Sequence, residues 1–353
     1  MAFEDRVKDL AEEVDPADAS ATERARELHR RLLKPPGSLG RLESLGVRLA
    51  GMAGVCPPPV PENPAVVVCA GDHGVLAQGV SPWRKEVTAA MVENFCAGGA
   101  AVNALARTVG ARVSVLDVGV ASEFERHPLL RGAKVRPGTG DLSESVAMSR
   151  EEAARAVLAG AGVAEELVES GGVDLFVTGD MGIGNTTPAA CLIAAFTGRP
   201  AREVTGRGTG IDDATFERKT GVVERALELH SPDPGDPVGT LAALGGLEHA
   251  ALVGVILMGA VYGTPVLLDG VVSNSAALVA RTLAPHSVDY LVAGHLSVEP
   301  GARVALEKLG LEPLLDLEMR LGEGTGALLA VPLVQAASRV LVEMKTLEEA
   351  GIA

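Results

Sequence analysis

The chain has 353 residues and a formal net charge of −15 at pH 7. Hydrophobic residues make up 47% of it and charged residues 22%, a composition typical of globular proteins and not of disordered ones. The strong negative charge disfavours nucleic acid and anionic membrane surfaces as partners. We therefore expect a large folded protein in which local contacts bind any phosphate group.

Two features of the sequence disfavour export. The N-terminus, MAFEDRVKDL, is charged and lacks an apolar signal core, and the four cysteines show no CxxC spacing. We expect reduced thiols and a cytoplasmic protein. The uncharged stretch 250–268 is interrupted by Gly263, Thr264 and Pro265, so it predicts a buried helix followed by a buried strand, and not a membrane span.

The first sixty residues have a helical pattern. Charged and apolar positions alternate at helical spacing over residues 3–33, with a break at Asp15-Pro16, and a further helix is predicted over 42–52. The proline-rich segment 56–61 predicts a stiff connector and a domain boundary. We expect a small helical domain over 1–60, to which C-terminal helices are a candidate addition, and a second domain over 61–353.

From residue 65 onward, apolar strands alternate with helices. Strands are predicted at 65–69, 113–118, 173–178, 265–268 and 288–293. Helices are predicted at 87–107, 151–170, 213–229, 246–262, 272–283, 300–309 and 325–345. This alternation is typical of an α/β protein with a mostly parallel sheet flanked by helices, which binds ligands at the carboxyl ends of its strands.

One stretch, 173–196, combines a strand, a glycine-rich loop and the start of a helix. The apolar run 173–178 is followed by Gly179, Gly182 and Gly184, and then by Asn185-Thr186-Thr187-Pro188. Glycines allow positive φ, and Asn, Thr and Pro suit a helix start. Such a loop directs free N–H groups at a phosphate, although the same pattern alone also fits a plain tight turn.

Other polar loops follow the strands or open helices. Asp72 and His73 follow the first strand, and His295, Ser297 and Glu299 follow the last. A second glycine-rich loop, 205–213, precedes a helix that carries Lys219, which taken alone also fits a solvated charged face. In a third glycine-rich loop, 319–327, Glu323 lies between two glycines. A ligand can approach its carboxylate there, which suits a role as a base. Apolar surroundings would raise its pKa and the helix N-terminus would oppose that.

Several common site patterns are absent from the sequence. It contains no HExxH, GxSxG or Walker pattern, and no GxGxxG after the first strand. We therefore expect neither a metal nor a cofactor. The remaining interpretation is a site that binds a phosphate-bearing ligand and uses a carboxylate as a base.

Distinctive blocks along nearly the whole chain resemble the nicotinate-nucleotide:dimethylbenzimidazole phosphoribosyltransferase family. These blocks are KPPGSLGRLE from Lys34, GDHGV from Gly71, GVSPW from Gly79, NFCAGGAAVN from Asn94, GDMGIGNTTPAA from Gly179, GRGTGIDD from Gly206, HLSVEP from His295 and PLLDLEMRLGEGTGA from Pro313. The resemblance implies a Rossmann-like fold with a smaller helical domain, and a homodimer. It also implies phosphoribosyl transfer from nicotinate mononucleotide to 5,6-dimethylbenzimidazole, which gives α-ribazole 5′-phosphate and nicotinate.

The resemblance also implies roles for particular residues. Glu323 matches the general base, and Asp180 stands where many members have a second active-site Glu, one methylene longer. The positions that match the family's phosphate contacts are Gly182, Ile183, Gly184, Gly208 and Lys219. Ser81 matches a position in the benzimidazole site, and we expect Met181 and Leu321 to form its apolar walls.

Two other functions are compatible with this fold. A nucleotide N-glycosidase would use Glu323 to activate water instead of an aromatic base. A non-catalytic nucleotide binder would be expected to lack this glutamate, which the chain retains. Nicotinate release with and without an added aromatic base distinguishes the three.

Overall fold

A computed structural model describes residues 2–352 and contains a six-stranded sheet in which all neighbouring strands are parallel. The strands are β1 (Pro64–Gly71), β2 (Arg112–Gly119), β3 (Leu130–Gly132), β4 (Leu175–Met181), β5 (Val266–Leu268) and β6 (Leu291–Ala293). Their order across the sheet is β3-β2-β1-β4-β5-β6. The predicted α/β fold with a Rossmann-like parallel sheet is confirmed.

The strand order explains where a ligand can bind. Every residue of β1 is buried, as expected for a central parallel strand covered on both faces. β1 pairs with β2 on one side and with β4 on the other, so the direction of the strand order reverses between β1 and β4. In such sheets a crevice opens beyond the carboxyl ends of these two strands.

Helices flank the sheet. They are α1 (Phe3–Glu12), α2 (Ala19–Arg31), α3 (Arg41–Ala53), α4 (Glu86–Ala97), α5 (Ala101–Val109), α6 (Arg150–Glu169), α7 (Thr186–Thr197), α8 (Ala201–Val204), α9 (Asp213–His230), α10 (Pro237–Leu244), α11 (Leu247–Val261), α12 (Val271–Leu283), α13 (Pro300–Leu309), α14 (Thr325–Leu328) and α15 (Val331–Glu343). Two 3₁₀-helices lie at Gly74–Gln78 and Pro285–Tyr290. Among these, α11 packs against α6, β1, β2 and β4, and forms part of the main core.

The N-terminal helices pack in two places. α1 lies against α6, whereas α2 and α3 pack with the C-terminal helix α15. Their contact contains a small apolar cluster, separate from the main core, made of Ala25, Leu32, Val47, Ala50 and Leu341. The predicted division of the chain at residue 60, with C-terminal helices added to the small domain, remains a proposal about its folding units.

The prediction of one helix over 87–107 is wrong. The structure has two helices there, α4 and α5, because Gly98 ends α4 in the left-handed conformation at φ 78°. Its backbone N–H bonds the carbonyls of Asn94 and Phe95, which closes the last turn of α4. The apolar periodicity continues across the break and therefore conceals it.

Two other predicted elements are shorter than expected. The predicted helix over 325–345 is divided into α14 and α15, with Pro332 in the first turn of α15, where its missing N–H is tolerated. The predicted strand over 288–293 forms only at Leu291–Ala293, because a 3₁₀-helix that starts at Pro285 occupies the residues before it.

The uncharged stretch 250–268 forms most of α11, followed by β5, both buried, as predicted. Among residues 2–352 one stretch, Thr325–Glu343, is apolar and long enough to cross a membrane by length and composition. Inside the protein, 56% of its apolar window is buried. A core helix meets the same criterion, so the stretch by itself does not indicate a membrane span.

Candidate active site

A pocket of about 460 Å³ opens beyond the carboxyl ends of β4, β5 and β6, and the segment after β1 that contains Val80, Ser81 and Trp83 also lines it. All ten residues that the sequence analysis assigned to the site line it: Ser81, Asp180, Met181, Gly182, Ile183, Gly184, Gly208, Lys219, Leu321 and Glu323. They come from separate segments of the chain. The structure thus brings the predicted residues together, while their individual roles remain predictions.

The first loop, which we name the phosphate loop after its predicted role, comprises Gly182–Gly184 between β4 and α7. Gly184 has φ 92°, a conformation that only glycine adopts readily, so the chain can turn sharply into the helix. Asn185 Nδ2 donates a hydrogen bond of 2.9 Å to Asp180 Oδ2. The backbone N–H of Ile183 donates to the Thr88 hydroxyl at 3.1 Å and therefore already has a protein acceptor.

The second loop, 205–213, precedes α9 and lies next to the Lys219 side chain of that helix. This lysine is 2% exposed, and its Nζ donates to Thr186 Oγ1 at 2.8 Å and to the Gly206 carbonyl at 3.0 Å. Burial lowers the pKa of Lys219 to about 8, although the nearby Glu299 carboxylate acts in the opposite direction. The backbone N–H of Gly208, which is predicted to bind phosphate, donates to Glu299 Oε1 at 2.7 Å and therefore already has a carboxylate acceptor.

The third loop carries Glu323 in an unusual backbone conformation. Gly322, Glu323 and Gly324 have φ values of 85°, 62° and 88°, so a non-glycine residue lies in the left-handed region between two glycines. The loop lies across β4 at Gly179, where any Cβ would approach the Glu323 carbonyl oxygen to 2.7 Å. The backbone N–H of Val102 donates to Glu323 Oε2 at 3.3 Å. Glu323 is 4% exposed.

Asp269, at the end of β5, holds the third loop in place. Its Oδ1 accepts hydrogen bonds from Gly326 N at 2.8 Å and Ala327 N at 3.0 Å, and its Oδ2 accepts one from Gly324 N at 3.2 Å. A buried carboxylate with three backbone donors both caps α14 and fixes the turn that carries Glu323. The sequence analysis did not single out Asp269, which follows the apolar stretch 250–268.

The two pocket carboxyls have raised pKa values. Burial is the main cause for Glu323, and the charge of Asp269 adds to it, while the N–H of Val102 opposes it. Burial also raises the pKa of Asp180 well above its usual range, supported by the charges of Asp269 and Glu248 and opposed by Asn185. The sequence left open the direction of the pKa shift of Glu323, and in the structure burial raises it.

The pocket mouth is apolar. Leu321 is 57% exposed and Trp83 is 52% exposed, so both present flat or branched apolar surface at the entrance. Ser81 Oγ accepts a hydrogen bond from Trp83 N at 3.2 Å, which orders this segment. Further pocket-lining apolar residues that the sequence analysis did not single out are Val80, Val87, Met91, Ile211, Val271 and Val272.

Two arginines also line the pocket and were missed. Arg320 Nη1 donates to the Gly208 carbonyl at 2.9 Å and so connects the second and third loops. Arg207 lies in the second loop and donates to the Ile211 carbonyl at 3.0 Å. Both stand inside the glycine-rich blocks, which is a signal that could have marked them as cations next to an anion site.

The fold and the pocket are those of a nucleotide-binding α/β enzyme. A family model described as Phosphoribosyltransferase matches residues 14–352. A nicotinate-nucleotide–dimethylbenzimidazole phosphoribosyltransferase of Salinispora tropica is 57% identical over 96% of this chain and 97% of its own, and one of Chloroflexus aggregans is 54% identical over 96% of each. A crystal structure of this enzyme from Thermus thermophilus has a TM-score of 0.90 and 47% identity over 95% of this chain and 99% of that chain. The chain therefore belongs to the nicotinate-nucleotide–dimethylbenzimidazole phosphoribosyltransferase family.

Proposed function

We propose that the chain transfers the phosphoribosyl group of nicotinate mononucleotide to 5,6-dimethylbenzimidazole, in the assembly of the lower-ligand nucleotide of cobalamin. The observation that supports this best is that one pocket contains buried carboxyl groups, a buried lysine and three glycine-rich loops. These are the groups that a displacement at the ribose C1′ requires: an acceptor for a proton and an anchor for the 5′-phosphate.

In the proposed reaction a benzimidazole nitrogen attacks C1′ from the face opposite to nicotinate. The new C–N bond forms as the bond to nicotinate breaks, and the released electron pair neutralises the positively charged pyridine nitrogen. The other benzimidazole nitrogen loses its proton to the carboxylate of Glu323. The raised pKa of Glu323 strengthens it as a base, provided that it is ionised before the reaction.

The phosphate anchor consists, in this proposal, of Lys219 and the backbone at Gly182, Ile183, Gly184 and Gly208. The Lys219 ammonium contacts the residues that follow the phosphate loop, through Thr186, and the second loop, through the Gly206 carbonyl. Because the N–H groups of Ile183 and Gly208 already have acceptors, phosphate binding at these two positions requires Thr88 and Glu299 to share or release them.

The base site lies on the apolar side of the pocket. Ser81, Met181 and Leu321 line it, together with the exposed ring of Trp83. Asp180 lies buried beside the phosphate loop. Its raised pKa favours the neutral carboxylic acid, which can donate a hydrogen bond to substrate. We assign it a supporting role, second to Glu323.

A homodimer and a cytoplasmic location complete the proposal. Apolar side chains in the segments around the pocket mouth, including Trp83, Leu317 and Leu321, are more than half exposed and would gain from burial by a partner. Analytical ultracentrifugation should give twice the 36.1 kDa of one chain. A single species at 36.1 kDa across the working concentration range would contradict the dimer.

The function is tested by nicotinate release from nicotinate mononucleotide, measured with and without dimethylbenzimidazole, with the nucleotide product identified by mass. Release that depends on the base and yields ribazole phosphate supports the transferase. Release without a base would indicate the glycosidase, and no release with any base tried would indicate the non-catalytic binder.

A further inference from the structure

Three fully buried polar side chains next to the phosphate loop have no part in the chemistry described above. His73 follows β1, and Glu248 and His249 lie in the first turn of α11. His73 Nε2 and Glu248 Oε1 are joined by a hydrogen bond of 2.6 Å, and His249 Nδ1 lies 2.9 Å from the same oxygen. The side chains of all three have no exposed surface. Residues of this kind rarely stay buried without a task.

The spacing of the three residues resembles that of a small metal site, since their ligand atoms lie within 4.8 Å of one another. Both histidines, however, lie within 2.9 Å of the same carboxylate oxygen, and His73 Nε2 forms a hydrogen bond with it. The backbone of Gly246 closes the group: a Cβ there would lie 2.5 to 2.7 Å from atoms of all three side chains. The direct bond between His73 and Glu248 and the close backbone of Gly246 favour a hydrogen-bonded pair over a metal centre, while both nitrogens of His249 have no hydrogen-bond partner in the described structure.

The carboxylate of Glu248 remains ionised inside this group. Burial opposes its ionisation, but His73 and His249 outweigh that effect and hold the pKa of Glu248 at about 2. Its position in the first turn of α11 adds the favourable helix dipole. Because an ionised carboxylate only accepts hydrogen bonds, the proton between the two groups belongs to His73 Nε2, and the ring orientation is thereby fixed.

The fixed ring of His73 lies directly against the phosphate loop. A Cβ built on Gly182 would lie 2.9 Å from His73 Nε2 and 3.2 Å from its Cδ2, and also 2.4 Å from the Gly71 carbonyl oxygen. A Cβ on Gly184 would lie 4.0 Å from His73 Cβ. The backbone of the loop thus rests on the imidazole and on the end of β1, with no room for a side chain between them.

We propose that His73, oriented by Glu248, is a positioning residue that sets the phosphate loop for the 5′-phosphate of the nucleotide. The ring supports Gly182, so that the loop's N–H groups are aimed before substrate arrives. This inference rests on the proposed function for the identity of the substrate. It assigns His73 no contact with the reacting atoms.

The first experiment compares His73→Leu with His73→Gln. Leucine fills similar space but cannot donate to Glu248, so the KM for nicotinate mononucleotide should rise by about tenfold or more, with kcat within about threefold of wild type. Glutamine places an amide N–H near the position of Nε2 and should restore most of the affinity. His29→Leu is the matched control, because His29 is also buried but lies in α2, away from the residues that line the active-site pocket.

A second substrate separates loop positioning from general damage. Nicotinate riboside lacks the 5′-phosphate, so the loss in kcat/KM caused by His73→Leu should be about tenfold for the mononucleotide and less than about twofold for the riboside. Equal losses for both substrates, or an unchanged KM for the mononucleotide, would overturn the proposal.

Three further measurements keep the test decisive. If His73→Leu does not fold, Glu248→Met removes the carboxylate acceptor at similar side-chain size and should give the same rise in KM; an unchanged KM would then count against the proposal. Stoichiometric zinc in the purified protein, with activity lost on its removal, would overturn the hydrogen-bonded arrangement. Should wild type release no nicotinate, the proposed function fails, and calorimetric binding of nicotinate mononucleotide still tests the inference through an expected roughly tenfold weaker Kd in His73→Leu.

Discussion

Glu323 combines a strained backbone with a buried carboxylate. A non-glycine residue at φ 62° costs on the order of 1–3 kcal/mol, and flanking glycines at positions 322 and 324 absorb the neighbouring left-handed turns. Burial then raises the pKa of the carboxylate. Such strain persists only where the surrounding structure imposes it, and here it directs one carboxylate into the pocket.

Replacing Glu323 by glutamine tests its role as the base. Glu323→Gln keeps the size of the side chain and one oxygen that accepts hydrogen bonds, but the amide cannot take up a proton. We therefore expect kcat to fall by about two to four orders of magnitude, with the KM for nicotinate mononucleotide within about threefold of wild type. Steady-state kinetics at saturating dimethylbenzimidazole measure this. Glu318→Gln is the control, since Glu318 is exposed, lies outside the pocket and also has positive φ. Unchanged turnover in Glu323→Gln would contradict the assignment.

The pH dependence of kcat/KM for nicotinate mononucleotide should be bell-shaped. Glu323 acts when ionised, so its raised pKa moves the rising limb above the usual range of a glutamate. Lys219 binds phosphate when protonated, so activity should fall as the pH rises through about 8, the lowered pKa of its free form. Lys219→Ala should raise the KM and remove the falling limb. A wild-type profile without a falling limb above the pKa of Lys219 would refute its phosphate role.

The elements that form the site are loops, each followed by a helix, and their positions depend on a few buried polar contacts. Asp269 is the clearest case, because three backbone N–H groups of the third loop end on its carboxylate. Arg320 then connects that loop to the second loop through the Gly208 carbonyl. The position of Glu323 thus depends on the end of β5, which lies two strands away from β1 in the sheet.

Asp269→Asn should therefore affect both stability and turnover. The amide can accept at one oxygen only, and its NH₂ group faces backbone donors, so the free energy of unfolding should fall by about 1–3 kcal/mol. The loop that carries Glu323 loses its anchor, and kcat should fall by at least about tenfold. Denaturant unfolding and steady-state kinetics check the two effects. A stable variant with wild-type kcat would show that the loop holds its shape without Asp269.

Much of the site could be predicted because strand ends in a parallel sheet share one edge. The alternation of strands and helices, together with the glycine-rich loops, predicts that Gly182 and Glu323 lie near one another. Asp269 could not be recognised, since Asp-Gly after an apolar run has the same sequence pattern as an ordinary turn. Similarly, no sequence pattern indicates that the N–H of Gly208 is occupied by Glu299, which is distant along the chain.

At the scale of the whole molecule, one strand order accounts for both the fold and the location of the pocket. The reversal between β1 and β4 opens the crevice, and α11 packs against both strands with Glu248 at its first turn. The contact between His73 and Glu248 joins residues 175 positions apart. A single sequence shows each of them only as a polar residue beside an apolar run, so their pairing required the three-dimensional fold.

The central claim is a direct displacement at C1′ in which the aromatic base, and not water, attacks from the face opposite to nicotinate. The most direct test is the anomeric configuration of the product made from β-nicotinate mononucleotide and dimethylbenzimidazole, determined by NMR of the ribose H1′. We expect the α-ribazole 5′-phosphate alone, by inversion. A β-configured product, or free ribose 5-phosphate as the main product, would contradict it.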